Sequence, residues 1–212
     1  MMQTKGREVT LSIETAINGG SLALIEDKRQ IDAWTGERQI SKAEDLLEQI
    51  AELLLRNKIE KGQIKLICVS KGIGSLTGEK IGLSIAKGLS KAFNCLLIKL
   101  SLLDALLSKL GKDFQGQVIT AVPTGKDWIT WQIKEKKGSV YSDVTDTFRS
   151  STEDFYRMLN TSEIKHLIIC QSFSEFFIDL SLIENKSIIV ANQNPAAIIG
   201  INTNSLPARC VR

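Results

Sequence analysis

One histidine, three prolines and four scattered cysteines leave this 212-residue sequence short of the residues on which many chemistries depend. A histidine-rich metal centre or a histidine-based triad has only His166 to draw on. That residue opens the apolar run His166–Cys170, where a structural place at the start of a strand is expected, so no metal and no catalytic residue is assigned. Cys68, Cys95, Cys170 and Cys210 form no C-x-x-C pair and are expected to act as small apolar side chains in a reducing compartment. Charge of one sign is also lacking: 27 basic against 24 acidic residues give a net charge of +3, which implies no broad electropositive surface. Long hydrophobic runs are broken, by Lys99 and Asp104 in one place and by Asn192 to Pro195 in another, which argues against a membrane span. Met1 to Val9 carries charge and no apolar core of a leader, so the expected location is cytoplasmic, with no membrane partner.

What the sequence does have is 43% hydrophobic residues, enough to bury a sizeable core, arranged with clear periodicities. Val9 to Thr15 alternates apolar and polar residues as a half-buried strand does; Ser21 to Ile25 and Arg29 to Thr35 complete an antiparallel meander. From Ser41 to Lys58 apolar residues return every three or four positions, predicting an amphipathic helix begun by a Ser41/Glu44 capping box. Ile64 to Ser70 reads as an interior strand, followed by a helix (Thr77 to Phe93), a strand (Cys95 to Lys99) and a helix (Leu102 to Leu110). The second half repeats the plan. Strands are expected at Gln117 to Val122 and Trp128 to Lys134 around a Pro123-Thr124-Gly125 turn, then a helix near Thr152 to Leu159. Strands at His166 to Cys170 and Ser187 to Ala191 follow, with a helical stretch between them. A meander leading into alternating helices and strands, used twice, fits an α/β chain of two-lobed, actin-like architecture, built from ribonuclease-H-like units with mixed sheets. The lobes are placed at 1–110 and 111–212.

The segment from Lys71 to Gly82, between a strand and a helix, admits three readings. A triphosphate-binding P-loop needs Gly, four residues, then Gly-Lys-Ser/Thr, and neither Gly72 nor Gly74 is followed at that spacing. A dinucleotide fingerprint is missed by one residue across Gly72, Gly74 and Gly78, although free amides at a helix start still suit an anion. The third reading is mechanical: Gly78, Gly82 and Ala86 recur every four residues and make one helix face shallow. Glycine inside a helix costs roughly 1 kcal/mol, so its repeated use asks for close approach, either by a partner's helix or by the chain's own sheet.

The run Gly72-Ile73-Gly74-Ser75-Leu76-Thr77-Gly78-Glu79-Lys80-Ile81-Gly82 resembles the Gly-Pro-Gly-Ser-Phe-Thr-Gly-x-Arg-Ile-Gly signature of the TsaB (YeaZ) family, with Ile73, Leu76 and Lys80 as departures. Ile13-Glu14-Thr15 resembles that family's Ile-Asp-Thr, and the likeness runs in order to about Leu110. It implies a noncatalytic subunit without a cofactor that pairs with a TsaD-like catalytic subunit and a TsaE-like ATPase. Together these support transfer of a threonylcarbamoyl group to the adenosine beside the tRNA anticodon, so that tRNA is an indirect partner. It also implies association through the two helices of the first lobe, with a partner or as a homodimer. Leu46, Leu47, Ile50 and Leu54 on the first helix, and Gly78, Gly82, Ile85 and Leu89 on the second, would face the partner. On that expectation Gly82→Leu blocks association and leaves the monomer folded.

The alternative is a small actin-like enzyme that binds a nucleotide or a sugar phosphate, with Glu14, Thr15, Gly72, Gly74 and Ser75 as its anion or nucleotide site. An acidic residue in the first strand suits such a role, but Pro123 stands where the second lobe would supply an aspartate, and only Asp127 lies nearby. Trp128 and Trp131, three apart on a strand, are expected on opposite faces, one in the core and one partly exposed. Lys134 to Lys137 is expected to be a solvated hairpin end.

Overall fold

A computed structural model describes residues 7–17, 19–36, 43–171 and 178–203. The chain divides into two compact units, 1–102 together with 194–212, and 103–193. A single boundary at 110 does not describe this division, because the last helix returns to the first unit.

In the first unit, strands β1 (Val9–Glu14), β2 (Ser21–Glu26) and β3 (Arg29–Thr35) form the expected meander, and β4 (Ile64–Ser70) and β5 (Leu96–Leu100) extend it in the order β3-β2-β1-β4-β5. β4 pairs in parallel with β1 on one side and with β5 on the other. Helices α1 (Ala43–Arg56) and α2 (Leu76–Phe93) are the crossovers that parallel pairing requires. Both pack on one face of the sheet. Leu46, Ile50 and Leu53 of α1 meet Leu11, Ile13 and Val69 there, and burial of such a side chain contributes roughly 1.5–3 kcal/mol. Ser41, expected to cap α1, lies outside the described residues.

The opposite face is covered by an element with no counterpart among the expected ones. Asn194 accepts from the Ala197 amide and Pro195 takes the first turn, so a short helix runs over Pro195–Ile201 and packs Ala196 and Ala197 on Ala23 and Ile25. It is α5, following α3 (Leu102–Leu106) and α4 (Thr152–Thr161) in chain order.

The second unit is built on β6 (Gly116–Gly125), β7 (Trp128–Lys137), β8 (Val140–Asp143), β9 (Phe148–Ser151), β10 (His166–Cys170) and β11 (Ser187–Ala191). Its sheet runs β11-β10-β6-β7-β8, with β9 also on β7. With β8 and β9 sharing the place of a third strand, this is the order third-second-first-fourth-fifth, the same as in the first unit. α4 covers it with Phe155 and Leu159. Of the expected helical stretch between β10 and β11, Leu180–Leu182 is a single 3-10 turn, and 172–177 lie outside the described residues.

Two expectations for this unit are corrected. The turn at 123–125 is strand, since β6 pairs with β7 through Pro123 and Gly125 and the hairpin closes at Lys126 and Asp127. Pro123 is tolerated past Ala121, where pairing with β10 has ended. Nor is Lys134 to Lys137 a solvated end. Lys134 and Lys136 are only 2% and 7% exposed. The Lys134 amine contacts Asp104 and Asp143, each at 2.5 Å, and Lys136 donates to the Lys112 carbonyl. The hairpin turns at Gly138, whose φ of 63° favours glycine. Trp131 is buried and Trp128 half-exposed beneath Arg149, as expected.

Candidate functional site

Where β1 ends, the chain turns at Thr15 and Ala16, and that turn is the seat of α2. Strand alternation points Ser12 and Glu14 to the α5 side and Leu11, Ile13 and Thr15 to the α1/α2 side. Thr15 Oγ1 donates to the Gly78 carbonyl (2.7 Å), and the Ser75 amide donates to the Ala16 carbonyl (2.8 Å). A Cβ at Gly74 would stand 2.3 Å from the Ala16 carbonyl oxygen, one at Gly78 2.2 Å from that of Thr15, and one at Gly82 2.2 Å from Thr15 Oγ1. Gly74 also needs its φ of 83°. The small-residue stripe is therefore filled by this chain's own strand end, and Gly82 is buried.

Glu14 is wholly buried. Its Oε1 accepts from the amides of Ala16 (2.6 Å) and Ile17 (3.0 Å), while Oε2 is buried with no hydrogen-bond partner. Burial pushes its carboxyl up to about 8, against the opposite pull of the two amides. A buried acid tied to its own backbone presents no carboxylate to a metal or to a bound phosphate. Ser75 is also committed: its Oγ accepts from the Gly78 amide as the cap of α2. Of the proposed anion site, Thr15, Gly74 and Ser75 come together at this turn, where Thr15 Oγ1 donates to Gly78 and the Ser75 hydroxyl accepts from it. Gly72 stands in open space with a φ of 78°.

The eight residues expected to face a partner are divided by the fold. Leu46, Ile50, Gly82 and Ile85 are buried in the unit's own core, and Leu54, Leu89 and Gly78 are half-buried. Only Leu47 is exposed, at 46%. As surface contacts the four buried residues are corrected, since spacing identifies an apolar stripe but not what covers it. Among the described residues, the large exposed apolar side chains of the helix pair are Leu47 and, missed in the sequence, Leu55 (80%) and Leu76 (65%). Leu47, Ala51 and Leu55 lie at four-residue intervals, a signal present in the sequence but outweighed by the wider stripe beside it. Elsewhere, the His166 ring packs edge-on against Phe114 with centroids 4.9 Å apart. Cys68 is buried, its thiol pushed up to about 12 by burial.

Two such sheets of like strand order define an actin-like chain, and comparison with solved structures agrees. YeaZ from Pseudomonas aeruginosa superposes with a TM-score of 0.62 at 14% identity, over 93% of this chain and 91% of that one. The ethanolamine utilization protein EutJ from Carboxydothermus hydrogenoformans gives 0.54 at 10% identity, over 94% and 91%. The family profile described as TsaD, tRNA N6-adenosine threonylcarbamoyltransferase, matches residues 39–192, most of the chain, which belongs to that family. A relative named tRNA threonylcarbamoyladenosine biosynthesis protein TsaB, from Buchnera aphidicola subsp. Acyrthosiphon pisum (strain APS), is 27% identical over 135 residues, 63% of this chain and 61% of its own length. The resemblance to TsaB (YeaZ) drawn from the glycine segment is thus matched by a TsaB relative over 63% of the chain and by the YeaZ fold over 93% of it. Among the described residues no helix is long and apolar enough to cross a membrane.

Proposed function

We propose that this chain is a noncatalytic subunit that pairs with a TsaD-like protein through α1 and α2. In this role it supports threonylcarbamoyl transfer to the adenosine beside the tRNA anticodon in the cytoplasm, with a TsaE-like ATPase in the same pathway. The observation that carries the reading is the outer face of the helix pair, where Leu47 and Leu55 stand in solvent eight residues apart on α1 while the stripe beneath them is already filled. Apolar side chains exposed together fit a docking face better than a solvated one. The noncatalytic assignment draws support from the commitments of Glu14 and Ser75 to their own backbone, and from Pro123 lying paired within a strand.

The test is co-purification with the TsaD-like protein of the same organism, followed by assay of threonylcarbamoyladenosine on tRNA with and without this chain. Leu47→Glu with Leu55→Glu is expected to abolish pairing and leave the unfolding free energy within about 0.5 kcal/mol of the parent, as for surface changes generally. Normal pairing of that variant removes the helix face from the proposal. Modification that proceeds without the chain, together with saturable nucleotide binding by the chain alone, replaces the proposal with the enzyme reading.

A further inference from the structure

The Glu14 carboxyl and helix α2 lie on opposite faces of the first sheet, yet a short path of bonds joins them. Oε1 holds the amides of Ala16 and Ile17 and so closes the turn that follows β1. The other edge of that turn is what α2 rests on: the Ala16 carbonyl accepts from Ser75, Thr15 Oγ1 donates to the Gly78 carbonyl, and the bare Cα atoms of Gly74, Gly78 and Gly82 are the space Thr15 and Ala16 occupy. The path has little slack, because a single methyl group at Gly74 or Gly78 would collide with the backbone of the turn and one at Gly82 would meet the Thr15 hydroxyl.

We propose that Glu14 is a positioning residue for α2: by holding the Ala16 and Ile17 amides it fixes the turn on which the first two turns of the helix are seated, so that gaining or losing its proton shifts the start of the helix.

The surroundings of the carboxyl favour the proton. On its own face β1 carries Ser12, β2 sets Ser21 opposite Glu14, and β4 continues past the Ile13/Val69 pair to set Ser70 beside it. α5 closes over them, with a Cβ at Gly200 falling 3.0 Å from Ser12 Cβ, and α2 brings Gly78 and Gly82 to the turn. None of these groups titrates. The charged residues at the ends of the same elements stay at the surface, Lys71 and Lys80 exposed and Glu26 and Glu79 partly so. Ser12 Oγ, Ser70 Oγ and Glu14 Oε2 are the buried side-chain oxygens without a partner among the described residues. An ionised Oε2 would therefore have no hydrogen-bond donor to stabilise it, and burial holds the proton well above the usual carboxylate range. On ionisation both carboxylate oxygens compete for the same two amides and the turn is drawn toward Glu14, away from Ser75.

The inference concerns the isolated chain and does not depend on what docks on α2. It is tested by following backbone amide resonances of the full chain from pH 5.5 to 9. The amides of Ala16 and Ile17 are expected to titrate with one midpoint, and those of Ser75 and Gly78 to titrate with the same midpoint; in Glu14→Gln all four are flat. Glu14→Ala is expected to speed exchange of the Ser75 and Gly78 amides about tenfold at pH 6, the loss of roughly one net hydrogen bond, and Gln at the same position restores the parent rate. Titration of Ala16 and Ile17 with Ser75 and Gly78 unmoved would make Glu14 a local turn residue only and overturn the proposal. So would a Ser75 titration that survives in Glu14→Gln. Should the Ala variant not fold, the comparison of parent with Gln decides alone.

Discussion

Three glycines of α2 are chemically identical and are expected to respond with different sign to one substitution. In a helix interior Gly→Ala gains about 1 kcal/mol from propensity alone. Gly88 has nothing within 4 Å of an added Cβ, so Gly88→Ala is expected to show that gain undiminished. At Gly78 the new methyl would lie 2.2 Å from the Thr15 carbonyl oxygen and 3.0 Å from Ala16 Cα, both backbone, so relief requires α2 to slide off the end of β1. Sliding stretches the bonds from Thr15 to Gly78 and from Ser75 to Ala16, each worth about 1 kcal/mol net, on top of an overpacking cost of about 1–3 kcal/mol. After the propensity gain, Gly78→Ala is expected to lose about 2–4 kcal/mol. Gly82→Ala meets chiefly the Thr15 hydroxyl at 2.2 Å, with Thr15 Cβ and Cγ2 at 3.3 Å. Rotating that hydroxyl away forfeits the bond to Gly78 and roughly cancels the propensity gain, leaving a change within about 1 kcal/mol of zero. Thr15→Ala should then cost less in the Gly82→Ala background than alone. Urea unfolding followed by far-ultraviolet circular dichroism ranks the variants. A Gly78→Ala protein as stable as the parent, or a Gly88→Ala protein no more stable, would refute the argument. The same geometry makes Gly82→Leu a folding defect rather than a clean probe of association.

Glu14 makes stability depend on pH with a defined sign. Its folded pKa of about 8 lies above the ordinary 4.5, so the folded form holds the proton more tightly and stability falls as pH climbs through that window. A loss of about 2–3 kcal/mol is expected between pH 5 and 7; Glu14→Gln should remove most of that slope in urea midpoints, and equal slopes would contradict it. In the second unit, Asp104→Asn with Asp143→Asn is expected to cost about 2–3 kcal/mol by leaving the buried Lys134 amine without its carboxylates, less than a fully buried pair because both acids are partly in water. Lys134→Met, which keeps the stem and removes the charge, should cost less than that double variant; the reverse order in thermal or urea unfolding would show that the amine is not the buried liability. Pro123→Asp restores the residue type an actin-like phosphate turn would carry, but places a carboxylate at a buried strand position. It is expected to destabilise by about 3 kcal/mol or more and to confer no magnesium-dependent nucleotide binding by calorimetry; acquired binding would show that the strand can open there.

The strands of the first unit were legible because each is either an alternating run, such as Val9–Glu14, or a short apolar block bounded by turn residues, such as Ile64–Ser70. β8 and β9 were not, since Val140–Asp143 and Phe148–Ser151 hold few apolar residues and exist by pairing with opposite ends of β7. α5 had a readable start in Asn194-Pro195, yet its small apolar residues lack a polar face and do not show helical periodicity, because they are buried from Pro195 to Gly200. At the site, spacing disclosed the stripe of Gly78 and Gly82 but not its occupant, as Thr15 is 63 residues away from Gly78 in sequence. Lys134 and Lys136 misled for a related reason: whether a lysine in a strand is solvated depends on acceptors elsewhere, here Asp104, Asp143 and the Lys112 carbonyl.

The two units share a strand order but end their first strands differently. β1 stops at Glu14 and leaves a turn that a carboxyl can hold and a helix can rest on. β6, its counterpart, runs on through Pro123 to Gly125, so its chain passes into β7 by a tight hairpin with no such turn. An actin-like nucleotide site draws its acidic groups from both first-strand turns. Here one carboxyl is turned inward to its own backbone and the other position is a proline inside a ladder. On the proposal made above, Glu14 holds the turn on which α2 is seated, beside the exposed leucines of α1.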